Sequence, residues 1–100
     1  MIRNSLTGKQ KSFLRSMGMG IEPVVQIGKE GVTASVVDAA KEAIKKRELI
    51  KVRVQQNADD TPKAEIELLA ERVDCNLVQV IGRNGLLFKR NFNKPKIELP

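Results

Sequence analysis

The chain has 100 residues, of which 41% are hydrophobic, and carries a formal net charge of +6. This length suits one small globular domain, and the positive charge favours polyanionic partners such as RNA, DNA or an anionic membrane surface. The single cysteine, Cys75, excludes an internal disulfide framework and a multi-cysteine zinc site. With neither a signal peptide nor a stretch of about 20 apolar residues, we expect a cytoplasmic protein that does not span a membrane.

The predicted elements begin with a helix that Thr7 caps, with Gln10 completing a capping box, and that Gly18 and Gly20 end. Its apolar side comprises Leu6, Phe13, Leu14 and Met17. After Pro23, the β-branched run "VVQI" predicts a buried strand. A second helix follows Thr33 as N-cap, because apolar residues recur there at helical spacing: Val36, Val37, Ala40, Ala43 and Ile44.

The second half of the chain again predicts alternating strands and helices. "LIKVRVQ" predicts a strand with Ile50, Val52 and Val54 on one face and Lys51, Arg53 and Gln55 on the other. Pro62 fits the first position of a third helix, capped by Thr61 or Asp60, whose buried stripe is Ile66, Leu69, Ala70 and Val73. Strands "NLVQVI" and "LLFKRN" follow, and a short edge strand is predicted at 97–99.

The order α-β-α-β-α-β-β indicates a single compact α/β (α+β) domain over residues 1–100. Strands joined by crossover helices should run parallel, and the last two, joined by a tight loop, should run antiparallel. We therefore expect a mixed sheet of about four strands with helices packed on it.

Gly-x-x-Gly occurs twice, in two different contexts. The copy at 82–85 joins two predicted strands, and Asn84–Gly85 is a strong hairpin signal because both residues accept positive φ. This copy is interpreted as a turn, from which Arg83 can still reach a phosphate. The other copy, Gly28, Lys29, Glu30 and Gly31, leaves a strand and opens a helix.

The copy at 28–31 has two open interpretations. Glycines allow a close approach, the amides at a helix N-terminus are unpaired, and Lys29 adds a cation, so the segment can hold one or two phosphates. Glu30 opposes this unless it points away or caps the helix. A plain strand-to-helix connection also favours glycine, and this geometry alone does not decide. The spacing fits neither a P-loop nor a Rossmann fingerprint.

Charge is distributed unevenly along the chain. Residues 1–20 and 81–97 contain basic residues and no acid, whereas residues 59–74 are mostly acidic. If the first helix, the Lys29 loop and the last strand lie together, they form one phosphate-binding surface. Its candidate residues are Lys9, Lys11, Arg15, Arg83, Lys89, Arg90 and Lys94, and Arg3 and Lys96 belong to the same basic ends.

Aromatic and catalytic groups are scarce. The chain has no Trp, Tyr or His, and we expect Phe13 and Phe88 in the core and Phe92 exposed, where it can stack on a base. Recognition should therefore depend on phosphates, shape and 2′-hydroxyls more than on base stacking. No nucleophile has a nearby base, and capping explains Asp59 and Asp60, so we expect no enzymatic activity, cofactor or metal.

Four segments, "LTGKQKSFLRSMG", "PVVQIGKEGVTASVV", "ELIKVRV" and "VQVIGRNGLLFKRN", together resemble the CRM domain (chloroplast RNA splicing and ribosome maturation) in its stand-alone bacterial YhbY-like form. The resemblance covers residues 5–99. It implies a fold similar to the C-terminal domain of translation initiation factor three, with a KH-like Gly-x-x-Gly loop at Gly28–Gly31. At 82–85 the family does not require the last glycine, which agrees with a hairpin. Family members bind structured RNA, and the bacterial ones associate with precursors of the large ribosomal subunit.

The resulting hypothesis is a monomeric, non-enzymatic protein that assists large-subunit assembly by gripping rRNA with the Gly-x-x-Gly loop and the basic surface. No membrane partner or small-molecule substrate is expected. Two alternatives stay open: a protein-interaction module that docks a basic partner through its acidic third helix, and an Alba-like general nucleic-acid binder. An enzyme acting on a phosphate ligand would need a reaction centre that the sequence does not show.

Overall fold

The computed structural model describes residues 6–100, so Arg3 lies outside the described residues. The elements are α1 (Gly8–Gly18), β1 (Pro23–Ile27), α2 (Ala34–Arg47), β2 (Leu49–Val54), α3 (Pro62–Val73), β3 (Asn76–Ile81) and β4 (Asn84–Phe88). They confirm the predicted order. The strands form a four-stranded sheet in the order β1-β2-β4-β3, with β1 parallel to β2 and β4 antiparallel to both of its neighbours. Within residues 6–100, no helix has the length and apolar character to cross a membrane.

The helices begin at the capping residues that the sequence predicts. Thr7 Oγ1 accepts a hydrogen bond from the Gln10 amide at 3.1 Å, and Gln10 Oε1 accepts one from the Thr7 amide at 3.0 Å, which completes the capping box. Thr33 and Thr61 cap α2 and α3, each accepting from the amide three residues later. These caps determine where α2 and α3 start, and therefore where their first unpaired amides lie.

The sheet separates two apolar clusters. One face carries α2 and α3, and the other carries α1. Alternation along β2 produces this division, because Ile50, Val52 and Val54 lie in the cluster of α2 and α3, as predicted, while Leu49 lies in the cluster of α1. α1 contributes Leu14 to its cluster, where Leu14 is fully buried. The result is a three-layer arrangement with helices on both sides of the sheet.

Gly18 is the last residue of α1, and packing rather than backbone conformation favours glycine there. Its φ is not positive, but a Cβ there would lie 2.3 Å from Leu86 Cδ1. Glycine therefore lets the end of α1 approach β4 closely, which no side chain would allow.

The hairpin differs from the prediction in the residues that form its turn. Gly82 and Arg83 turn, and Asn84 already begins β4. Of the four residues in this copy, only Gly82 has a positive φ (56°), so the prediction that Asn84 and Gly85 form the turn is wrong. Gly85 serves packing instead, because a Cβ there would lie 2.6 Å from Ile66 Cγ2 of α3.

Other local predictions are wrong at positions where tertiary contacts override local sequence preference. Phe13, expected in the core, is 39% exposed. β4 ends at Phe88 rather than at 91, and 97–99 form no strand. Phe88 itself is buried, as expected.

A buried carboxylate explains the course of the chain after β4. Glu48, which caps α2, is fully buried. Its carboxylate accepts hydrogen bonds from the Asn91 amide at 2.7 Å and from the Lys96 and Ile97 amides at 2.6 Å each. These amides would otherwise pair in a ladder or with water. The tail therefore folds back, and Ile97 joins the cluster of α1.

Glu48→Gln should lower the free energy of unfolding by about 1–3 kcal/mol, because an amide NH₂ replaces one acceptor and leaves a buried backbone N–H without a partner. Urea denaturation followed by circular dichroism measures the change. Glu42→Gln, on the exposed side of the same helix and paired with Lys46 at 4.0 Å, is the matched control and should leave the midpoint unchanged. Equal midpoints for the two variants would contradict the role given to Glu48.

Candidate nucleic-acid interface

Three connections meet at one end of the sheet, beyond the carboxyl ends of β1 and β2. They are residues 28–33, residues 55–61 and the turn at 82–83. The Gln55 amide donates to the Ile27 carbonyl at 2.8 Å, and the Val54 amide donates to the Arg83 carbonyl at 2.7 Å. Arg83 Nη1 also donates to the Gln55 carbonyl at 3.1 Å. Gln55 therefore links the Gly-x-x-Gly loop (28–31) to Arg83.

The Gly-x-x-Gly loop is a tight turn that presents its two central residues to solvent. The Gly28 carbonyl accepts from the Gly31 amide at 3.0 Å, and Gly31 has a φ of 74°, which favours glycine. Lys29 and Glu30 are exposed, while Val32 is buried and anchors the loop in the core. Lys29 thus projects from a turn whose backbone is held at both ends.

The first amides of α2 are available to a ligand. The Val36 amide donates to the Thr33 hydroxyl, but no group within residues 6–100 accepts a hydrogen bond from the amides of Ala34 or Ser35. Both residues are exposed, at the positive end of the helix dipole. Such N–H groups can bind a phosphate oxygen directly.

A carboxylate lies beneath the same loop. Glu65 of α3 is only 7% exposed, and its Oε2 has no hydrogen-bond partner among residues 6–100. This oxygen would lie 3.3 Å from a Cβ placed on Gly31. Burial, and then repulsion by Asp60 and Asp59, raises the pKa of the Glu65 carboxyl. When ionised, Glu65 opposes an anion at the loop, and protonation removes that opposition.

Only part of the predicted basic surface lies at this end of the sheet. Lys29 and Arg83 belong to it, whereas Lys89, Arg90 and Lys94 follow β4 and lie beyond its other end. At about 3.3 Å per residue, Arg83 and Lys89 are separated by roughly 20 Å along the strand. The cations after β4 are therefore not continuous with those at the loop, and RNA binding by each group stays a prediction.

The basic residues of α1 lie on the other face of the sheet from α2. Arg15 lines a cleft of about 130 Å³ together with Lys51 of β2. Arg53 is exposed, and it lies two residues further along β2, so it shares that face. Lys9 and Lys11 are at the beginning of α1.

Sequence reasoning missed Lys51 and Arg53 as site candidates. The alternation of "LIKVRVQ" already placed both on the face away from Ile50, and that signal was sufficient to find them. Arg53 is paired in register with Asn84, the residue after Arg83. We call the resulting set the basic strip: Arg15, Lys51, Arg53 and Arg83.

Residues 6–89 match the model of the CRS1/YhbY (CRM) domain family. The chain belongs to this family. It is 42% identical over 95 residues to "Probable RNA-binding protein YqeI" of Bacillus subtilis, in an alignment that covers 95% of this chain and 99% of the relative. It is also 32% identical to a Haemophilus influenzae protein named "RNA-binding protein", over 96% of each chain.

A solved structure agrees with the fold. The solution structure of the hypothetical protein SAV1595 from Staphylococcus aureus, described as a candidate RNA-binding protein, matches with a TM-score of 0.80 at 42% identity. The match covers 96% of this chain and 100% of that one. Membership of the CRM family and the mixed four-stranded α+β fold, both expected from the sequence, are therefore confirmed.

Glu65→Gln should stabilise the protein at pH 7. The raised pKa means that the folded chain holds this proton more tightly than the unfolded chain, so stability falls as pH rises from the ordinary glutamate value through the raised one. The glutamine variant does not lose stability in this way. Below the ordinary glutamate pKa, the parent and the variant should therefore be equally stable. Urea midpoints across pH 3–8 measure the difference, with Glu67→Gln, exposed on the same helix, as control. A glutamine variant less stable than the parent at pH 7 would refute the assignment.

Proposed function

We propose that this protein binds RNA through the Gly-x-x-Gly loop, the free amides of α2 and the basic strip. The observation that carries the proposal is that Ala34 and Ser35, whose amides donate to no group within residues 6–100, are exposed directly after a loop that presents Lys29. N–H groups, a mobile cation and a backbone without side-chain obstruction at Gly28 are the features that suit a ribose-phosphate chain. The RNA-binding names of relatives that align over nearly the whole chain support it.

The charges around the loop favour one path for the RNA. Asp59, Asp60 and Glu65 lie on the α3 side of the loop and repel phosphates there. On the other side, Arg83 leads to Arg53 of β2. We therefore place the strand from the α2 N-terminus across the basic strip towards α1, where Lys9 and Lys11 supply further phosphate contacts.

The RNA that we propose is rRNA in a precursor of the large ribosomal subunit. The support is the resemblance to the stand-alone bacterial CRM proteins, which implies this partner. In this role the protein acts in the cytoplasm as a monomer and without catalysis, holding one segment of rRNA while neighbouring parts fold. Contacts to phosphates rather than to base edges would let it recognise RNA shape.

Gly28→Asp combined with Lys29→Ala should lower RNA affinity about tenfold or more, because it removes a cation and places a carboxylate where a charge-assisted hydrogen bond forms. Gly28 tolerates a side chain, since its φ is not positive and a Cβ would meet only the flexible end of Gln55 at 3.1 Å. Fluorescence anisotropy with a labelled rRNA fragment, titrated over a range of salt, measures the affinity. Contact with about four to seven phosphates predicts a log-log slope of roughly −3 to −6 for the parent chain.

The control for this pair is Ala39→Asp with Lys46→Ala, which makes the same change in charge on exposed positions of α2 away from the loop. The change in net charge alone should lower its affinity for RNA by no more than about twofold. Equal losses in both double variants would mean that net charge, rather than the loop, sets the affinity. A salt slope near zero for the parent would remove the electrostatic account altogether.

A further inference from the structure

A second basic region lies at the opposite end of the sheet from the Gly-x-x-Gly loop. A groove of about 540 Å³ opens there between the C-terminal ends of α2 and α3 and residues 89–93. The charged groups that line it are Lys41, Lys45, Arg72, Lys89, Arg90 and a single acid, Asp74. Five basic side chains against one acidic side chain in a concave site favour an anionic ligand.

Hydrogen bonds fix the wall of this groove that residues 89–93 form. Asn91 Nδ2 donates to the Lys45 carbonyl at 3.1 Å, and Asn91 Oδ1 accepts from the amides of Asn93 and Lys94 at 3.1 Å each. The Asn91 amide is held by the buried carboxylate of Glu48. The wall is therefore ordered before any ligand arrives, which reduces the entropy lost on binding.

This turn projects an aromatic ring into solvent at the groove. Phe92 is 70% exposed although the residues on both sides of it are anchored. Its exposure confirms the prediction from the sequence, whereas its place in a groove that α2 and α3 also line was not predicted. An aromatic face next to basic side chains is the arrangement on which proteins stack an unpaired base.

The helix ends at the groove do not prevent a phosphate from binding. A helix C-terminus is negatively polarised and ordinarily repels anions. Here the Lys45 carbonyl is occupied by Asn91, and the Ile44 carbonyl accepts from the Glu48 amide at 2.8 Å. These hydrogen bonds reduce the negative potential that the two carbonyls present to the groove.

We infer that this groove is a second RNA-binding site, which takes an unpaired nucleotide with its phosphate near Lys45, Lys89 and Arg90 and its base against Phe92. The inference rests on the proposed function for its RNA partner, but it uses no residue of the Gly-x-x-Gly loop. Because roughly 20 Å of β4 separates the two regions, one phosphate cannot contact both. An RNA that engages both must extend across the domain.

The test is a titration of the isotope-labelled full chain with a single-stranded uridine pentanucleotide, followed by amide chemical shifts. We expect saturable shifts at Asn91, Phe92 and Asn93. Phe92→Leu should weaken the affinity read from these shifts about fivefold or more, because it removes the stacking face. Phe13→Leu, which changes an exposed phenylalanine of α1 outside the groove, is the control and should bind as the parent does.

Each outcome separates the two sites. Shifts at 28–35 without shifts at 89–93, or a Phe92→Leu variant that binds as tightly as the parent, would overturn the groove proposal alone. Shifts at 89–93 without shifts at 28–35 would support the groove and contradict the loop. Inorganic phosphate at matched ionic strength is a further arm, and if it reproduces all the groove shifts, the site is a simple anion site and the nucleotide assignment is overturned.

Discussion

The insertion of β4 between β2 and β3 determines where the charged groups of this protein lie. Because β4 runs antiparallel to both neighbours, it starts beside the Gly-x-x-Gly loop and ends beside the C-termini of α2 and α3. Arg83 and Lys89, close in sequence, are thereby carried to opposite ends of the sheet. This arrangement depends on Gly85, where a side chain would collide with Ile66. Two basic regions thus arise from what the sequence presents as one basic segment.

Two buried glutamates show how the same group can serve structure or oppose a ligand. Glu48 is satisfied by three backbone amides and holds the tail that forms one wall of the groove. Glu65 has an oxygen without a hydrogen-bond partner among residues 6–100, next to the loop that we propose for RNA. Proteins commonly break a local rule of polar satisfaction at functional positions. When ionised, Glu65 repels any anion placed at that side of the loop.

Features that depend on interactions between residues close in sequence could be predicted from the sequence alone. The caps at Thr7, Thr33 and Thr61, the apolar stripes of α2 and α3 and the alternation of β2 all follow from hydrogen bonding and periodicity within a few residues. The order of motifs also identified the family. The Lys29 loop was found in the same way, since a strand, two glycines and a capped helix are local signals.

The remainder depends on contacts between distant parts of the chain. Strand order is not visible in periodicity. The separation of Lys89 from Lys29 needs only the predicted strand directions, because β3 runs parallel to β1 and β4 returns antiparallel to the other end of the sheet. The single phosphate-binding surface expected from the charge pattern did not take those directions into account. The Glu48 carboxylate accepts hydrogen bonds from the amides of Asn91, Lys96 and Ile97, more than forty residues further along the chain, and this overrides the strand propensity of the tail. Phe13 was misplaced because helical spacing fits both it and Leu14, and only the approach of α1 to the sheet selects Leu14.

The most direct measurement of the central claim is photo-crosslinking of the protein to RNA in pre-ribosomal fractions, with mass spectrometry of the crosslinked peptides and sequencing of the bound RNA. We expect crosslinks within 28–35 and on β2 around Arg53, joined to a defined segment of large-subunit rRNA. Crosslinks to protein rather than RNA, concentrated on the exposed acidic side of α3 at Glu67 and Glu71, would contradict it and favour a protein-interaction module.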